Sequence, residues 1–109
     1  MLDTATTLLR RLDTVDDRGV LFEDSFVSWR DHAALSHDRA ALLRDILDPS
    51  RPRHIGVLLD NVPEFSFLLG AAAFSGSVVA GLNTTRRGEA LARDILLADC
   101  QVVFTETAH

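Results

Sequence analysis

Residues His54–Thr85 read HIGVLLDNVPEFSFLLGAAAFSGSVVAGLNTT. Ile55–Leu59 is a short apolar run ending at Asp60, the form of a strand buried in a parallel sheet. Asn61-Val62-Pro63-Glu64 offers an amide N-cap, a proline for the first turn and an early acid, which together start a helix. That helix is expected over Pro63–Ser75, with Phe65, Leu68, Leu69 and Ala72 turned inward. Its small-residue run GAAAFSG, from Gly70 to Gly76, would let it pack closely on the sheet. At Ser77 the character changes to β-branched valine, and Val78–Leu82 reads as a second strand.

Working outward, Thr84 or Thr85 is expected to cap a helix near Arg86–Ala98 that presents Leu91, Ile95 and Ala98. Gln101–Thr105 is a third strand. On the other side, DPSRPR is a loop, because Pro49 and Pro52 stop a helix predicted over Trp29–Leu47. Ser28, with Asp31 three residues on, begins that helix as a capping pair, and Ala33, Ala40, Leu43 and Leu47 form its buried side. Val20–Phe22 and Ser25–Val27 make a hairpin around Glu23 and Asp24. Leu2, Ala5, Leu8, Leu9, Leu12 and Val15 recur at helical spacing, so a leading amphipathic helix is expected, ended by Asp16–Gly19.

The fold class is α/β: a partial parallel sheet of three-layer type, β-α-β-α-β over residues 54–106, behind a leading helix in 1–19 and a hairpin and helix in 20–48. Residues 1–109 are read as one subdomain. A sheet of only three core strands keeps an open edge, and a chain that stops right after a buried strand reads as a fragment of a larger domain.

Composition narrows the function without naming it. Of 109 residues, 47% are hydrophobic and 25% charged, which excludes a disordered tail or a collagenous repeat. A net charge of −5 argues against nucleic acid as a partner. Cys100 is the lone cysteine, so no intrachain disulfide forms, and a cytoplasmic setting, or one peripheral to a membrane, is expected. It is read as a buried structural thiol. All 11 basic residues are arginine, so no lysine-dependent step is open to this chain. Phe65–Thr85 carries no charge, but its glycines, serines and asparagine read as a buried helix and strand, not as a transmembrane span.

Ligands of open α/β sheets sit beyond the carboxyl ends of the strands. Here those positions are Asp60 and Asn61, then Asn83, Thr84 and Thr85, then Thr105 and Glu106. Arg86 and Arg87 form the nearby basic pair, read as mainly solvated. No dinucleotide or Walker fingerprint is present. His32 and His37 fall on different faces of their helix, so no shared metal site is expected. No catalytic residue is singled out.

From about Leu21 to Thr105 the chain resembles the N-terminal segment of the adenylate-forming (AMP-binding) family, in particular fatty-acyl-CoA synthetases and ligases. FVSWRDHAALSHDRAALL is similar to the family's early threonine/serine-tyrosine-x-x-leucine segment, with Trp29 in place of tyrosine and His32 near the leucine. HIGVLLDNVPEFSFLLGAAAFSGSVVAGLNTT resembles its strand, asparagine-x-proline-glutamate turn, helix and following strand. Gly76, Leu82 and Asn83 match, whereas Gly81 and Thr84 stand where proline is common. GEALARDILLADCQVVFT is similar to the next helix and strand. The match covers about four-fifths of the chain.

The resemblance implies a parent enzyme that activates a fatty acid with ATP and magnesium as an acyl-adenylate and then forms the coenzyme A thioester. It implies contact of Asn83, Thr84 and Thr85 with coenzyme A. The family's phosphate loop with its lysine, and its later nucleotide and magnesium motifs, are absent here. The isolated chain is therefore expected to hold no cofactor and to be inactive, with the remainder of the synthetase as its partner. The alternatives are a non-catalytic module that pairs with another copy through its open sheet edge, and an independent flavodoxin-like binding domain.

Overall fold

The computed structural model describes residues 4–60 and 62–106. The order is α1 (Ala5–Arg11), β1 (Gly19–Phe22), β2 (Ser25–Ser28), α2 (Trp29–Ile46), β3 (His54–Leu58), α3 (Pro63–Ser75), β4 (Val78–Gly81), α4 (Gly88–Leu97) and β5 (Val102–Thr105). β1 and β2 form an antiparallel hairpin from Gly19 opposite Ser28 to Phe22 opposite Ser25. β3 is the central strand of a parallel sheet ordered β4-β3-β5. Ile55 lies opposite Val79 on one side and Val102 on the other, so the expected β-α-β-α-β core is present. Among the described strands, β4 and β5 each keep one unpaired edge.

Right-handed crossovers put α3 and α4 on opposite faces, since the first steps outward from β3 to β4 and the second returns across β3 to β5. The two faces are unequal. Ile55, Val57 and Leu59 alternate toward α2 and α3 and join Ala40, Leu43, Leu47, Leu68 and Ala71 in two adjoining apolar clusters. All four residues expected to be buried on α2 are buried. On the other face Gly56 lies under Leu82, Val103 and the Cys100 thiol. No residue of α4 is buried, and Leu96 and Leu97 are each 79% exposed.

α2 and α3 meet at Gly70. A Cβ there would fall 2.2 Å from Ser36 Oγ and 2.7 Å from Ser36 Cβ. The small-residue run thus brings α3 close to α2, where close packing on the sheet was expected. Gly76, at the other end of the run, is the left-handed C-cap of α3, with φ of 71°. Beside Gly70, buried His32 shares a 2.7 Å hydrogen bond from Nε2 with Ser66 Oγ, and its Nδ1 lies 3.4 Å from Ser36 Oγ. Its ring meets Trp29 and Phe67 edge to face. Two turns further along α2, Arg39 holds Glu64 through two hydrogen bonds, of 2.5 and 2.8 Å, and its guanidinium lies over the Phe67 ring. This fork explains the acid in the first turn of α3.

Several expectations need correction. α1 ends at Arg11, well short of Val15, and has no buried residue; so short a helix has little packing to extend it. Leu2 lies outside the described residues. The N-cap of α3 is Val62, which makes no side-chain cap bond, and Asn61 lies outside the described residues. Leu69 is 49% exposed, because α3 turns Phe67, Leu68, Ala71 and Ala72 inward instead. Gln101 precedes β5 and is a clamp: its amide accepts from Asp48 N–H at 2.7 Å and donates to the Asp48 and Pro52 carbonyls at 3.0 and 2.9 Å.

Two outcomes follow from the α2–α3 contact. Gly70→Ala must push the helices apart, and urea unfolding should show a loss of about 1–3 kcal/mol, partly restored by Ser36→Gly. Burial holds the His32 imidazole below its ordinary 6.5. Between the folded and unfolded values the unfolded chain therefore binds more protons, so stability rises with pH. Stability should be full above about 6.5 and fall as the pH drops through the folded value, and His32→Gln should flatten that slope in urea titrations at stepped pH.

Candidate functional site

The carboxyl ends of the three parallel strands come together by register, with Val57 flanked by Gly81 and Phe104. Hydrogen bonds fix the loops that leave them. Leu82 N–H donates to the Val57 carbonyl at 3.0 Å, tying the exit of β4 to β3. Thr105 Oγ1 donates to the Leu58 carbonyl at 3.1 Å, and Asp60 N–H donates to Glu106 Oε1 at 3.1 Å, tying β3 to the exit of β5. Asp60, Thr105 and Glu106 are thus assembled at one rim.

Asn83, Thr84 and Thr85 form the loop after β4. Neither threonine caps α4, contrary to the expectation. Asn83 Oδ1 accepts from Thr85 N–H at 2.9 Å and from Thr85 Oγ1 at 2.7 Å, a side-chain-closed turn typical of asparagine. Thr85 is spent inside this turn, and Arg87 Nη1 donates to the Thr84 carbonyl. The N-cap is Arg87 without a side-chain bond, and α4 opens only at Gly88, whose φ of 59° suits glycine. Asn83 and Thr85 are exposed and Thr84 is half-buried.

The basic pair beside this loop is engaged, not simply solvated. Arg86 grips Asp94 of α4 with Nε–Oδ2 of 2.6 Å and Nη2–Oδ1 of 3.2 Å. Arg87 also reaches the Arg86 carbonyl from Nη1 at 2.9 Å. These contacts pin the loop to the first turns of α4. The loop leaves the Asn83 side chain exposed on a fixed backbone, with no nucleophile or base within it. Three clefts, of about 270, 210 and 330 Å³, are lined by other residues.

The remaining candidates are structural. Cys100 is half-buried where full burial was expected, and burial, then Asp99, push its thiol above the ordinary value. His37 stacks on Phe74 at 3.8 Å between ring centres, and His54 Nδ1–H donates to the Ala98 carbonyl at 2.9 Å. Among the described residues, no group of three or more His, Cys, Asp or Glu side chains is placed to share a metal ion. No helix among them is long and apolar enough to cross a membrane.

Comparison with known proteins bears on this framework directly. No protein-family model matches the chain. It is 60% identical over 102 residues to the medium/long-chain-fatty-acid–CoA ligase FadD17 of Mycobacterium tuberculosis, a match covering 94% of this chain and 20% of that protein. It is 44% identical to the steroid-22-oyl-CoA synthetase of Rhodococcus jostii, over 94% of this chain and 19% of that one. Among solved structures, the N-terminal subdomain of Klebsiella oxytoca NpsA, in complex with 3-hydroxyanthranilyl-AMSN, superposes with a TM-score of 0.84 at 14% identity. That superposition covers 99% of this chain and 28% of the solved subdomain, and it shows the fold. The chain spans about a fifth of the length of the curated relatives it matches. In sequence and in fold, it corresponds to the N-terminal segment of adenylate-forming enzymes of the fatty-acyl-CoA synthetase/ligase family.

Proposed function

We propose that this chain is the N-terminal part of an ATP-dependent fatty-acyl-CoA synthetase. In that reaction a carboxylate attacks ATP to give an acyl-adenylate and pyrophosphate, and the coenzyme A thiol then displaces AMP to form the thioester. The observation that carries the reading is the 60% identity to a fatty-acid–CoA ligase across 94% of the chain. The chain's share is to scaffold the larger domain and to offer Asn83, Thr84 and Thr85 at the coenzyme A entrance.

Phosphate charge developing during adenylation calls for preorganised cations. The family's lysines do this, and this chain has none. We therefore place the ATP and magnesium sites in other segments of the parent enzyme, and the 109 residues alone carry no adenylation. The unpaired edges of β4 and β5 also support the alternative, a module that pairs with another copy of itself.

A chimera separates these readings. This chain, put in place of the matching segment of the tuberculosis ligase, should retain acyl-CoA formation from a medium- or long-chain fatty acid within about tenfold, while the 109 residues alone give none. A folded chimera without product would overturn the synthetase reading and favour the self-pairing module. For the entrance, Asn83→Ala removes the acceptor that closes the turn. Calorimetric coenzyme A binding to the active chimera should weaken about fivefold, the worth of roughly one hydrogen bond. Unchanged affinity would exclude the loop from the coenzyme A site.

A further inference from the structure

At the opposite end of the sheet, before β3 and β4 begin, lies the cleft of about 270 Å³. The end of α2 and its C-cap supply Leu43, Arg44 and Leu47, the following loop Pro49 and Arg53, and the end of α3 and the turn after it Ser75 and Ser77. Its charge is unusual for a chain of net charge −5. Among the described residues, neither Arg44 nor Arg53 has a carboxylate partner, whereas Arg18, Arg30, Arg39, Arg51 and Arg86 are each ion-paired.

Both guanidiniums are held by the carboxyl end of α3. Arg44 Nη2 donates to the Phe74 carbonyl at 2.9 Å and Arg53 Nη1 to the Ser75 carbonyl at 3.4 Å. A helix end carries about half a negative charge, so two arginines leave an excess of about 1.5 positive charges. Each keeps further N–H groups without a partner among the described residues. Ser75 Oγ and Ser77 Oγ lie 2.8 Å apart. In such a pair one hydroxyl donates to the other, which leaves a second O–H proton to give. The cleft is thus rich in donors and cations, with Leu43, Leu47 and Pro49 as an apolar wall. Its volume is at the lower end for small-molecule sites.

From this donor set we infer a site for a phosphate group, carried by a small ester or free as inorganic phosphate. Arg44 and Arg53 fork its oxygens, a hydroxyl of the Ser75–Ser77 pair donates a further bond, and the apolar wall takes the organic part of an ester. The site lies away from the Asn83 loop and does not depend on the coenzyme A reading.

The test is titration of the ¹⁵N-labelled chain with inorganic phosphate and with n-butyl phosphate, against sodium chloride at matched ionic strength. The expected result is a saturable shift of the Ser75, Gly76 and Ser77 amides with phosphate and not with chloride. An ester site gives tighter binding of butyl phosphate by several-fold, and a free-phosphate site gives equal binding. Arg53→Gln should weaken either about tenfold, while Arg86→Gln, in the distant loop, should leave it unchanged. Because the arginines also cap α3, the unmutated chain carries the decision. No saturable shift at these amides, or one that chloride reproduces, overturns the site.

Discussion

α2 and α3 come so close at Ser36 and Gly70 that no methyl group fits between them, and much of the molecule is arranged around that approach. Only with the helices this near can His32, buried on α2, reach a hydroxyl on α3 and escape the cost of a lone buried imidazole. The same spacing lets Arg39 fork Glu64 while lying over Phe67, so the first turn of α3 is fixed by charge as well as packing. With the pair locked, its inner side offers Leu43, Leu68 and Ala71 as one surface, against which Ile55 and Val57 of the central strand are fully buried.

The core was legible where periodicity and termination agree. Ile55–Leu59 is apolar throughout because β3 has a neighbour on each side and is covered on both faces, by α2 and α3 on one and by Leu82, Val103 and Cys100 over Gly56 on the other, and the Ser28 cap bonds Asp31 N–H at 3.1 Å as its spacing predicts. Legibility failed where several partners compete for one group. Thr84 and Thr85 look like caps in isolation, but Asn83 two residues before Thr85 can close the turn itself, and it wins. Leu69 fits a helical stripe, yet the Gly70–Ser36 contact sets the rotation of α3 and turns Leu69 outward. Gln101 reads as a strand residue, and its work as a clamp on Asp48 depends on a loop more than 50 positions away.

For the candidate site, sequence reasoning reached the position of the loop and missed how it is held. Position follows from topology, since loops after parallel strands gather at one rim whatever their residues. The Arg86–Asp94 pair crosses eight positions along a helix start whose boundary the sequence misplaces, so no fixed spacing announces it. The donor-rich cleft at the other end was equally hidden. Arg44, Arg53 and the Ser75–Ser77 pair come from three separate places in the chain and meet only because α2 and α3 end side by side.

The two sheet faces show why polar contacts rather than a core hold the Asn83 loop. Under α2 and α3 the sheet is covered, and nearly every buried apolar residue belongs to that half. On the α4 side nothing of the helix is buried, Leu96 and Leu97 lie open, and Val78 on β4 is 55% exposed. A loop joining β4 to α4 therefore connects two elements with little packing of their own. Burial cannot fix its conformation, so directional bonds must: the Asn83 turn, the Arg87 contact with the Thr84 carbonyl and the Arg86–Asp94 fork. Exposed ion pairs of this kind contribute little to global stability. Their effect is local, narrowing the backbone of one loop to a single shape.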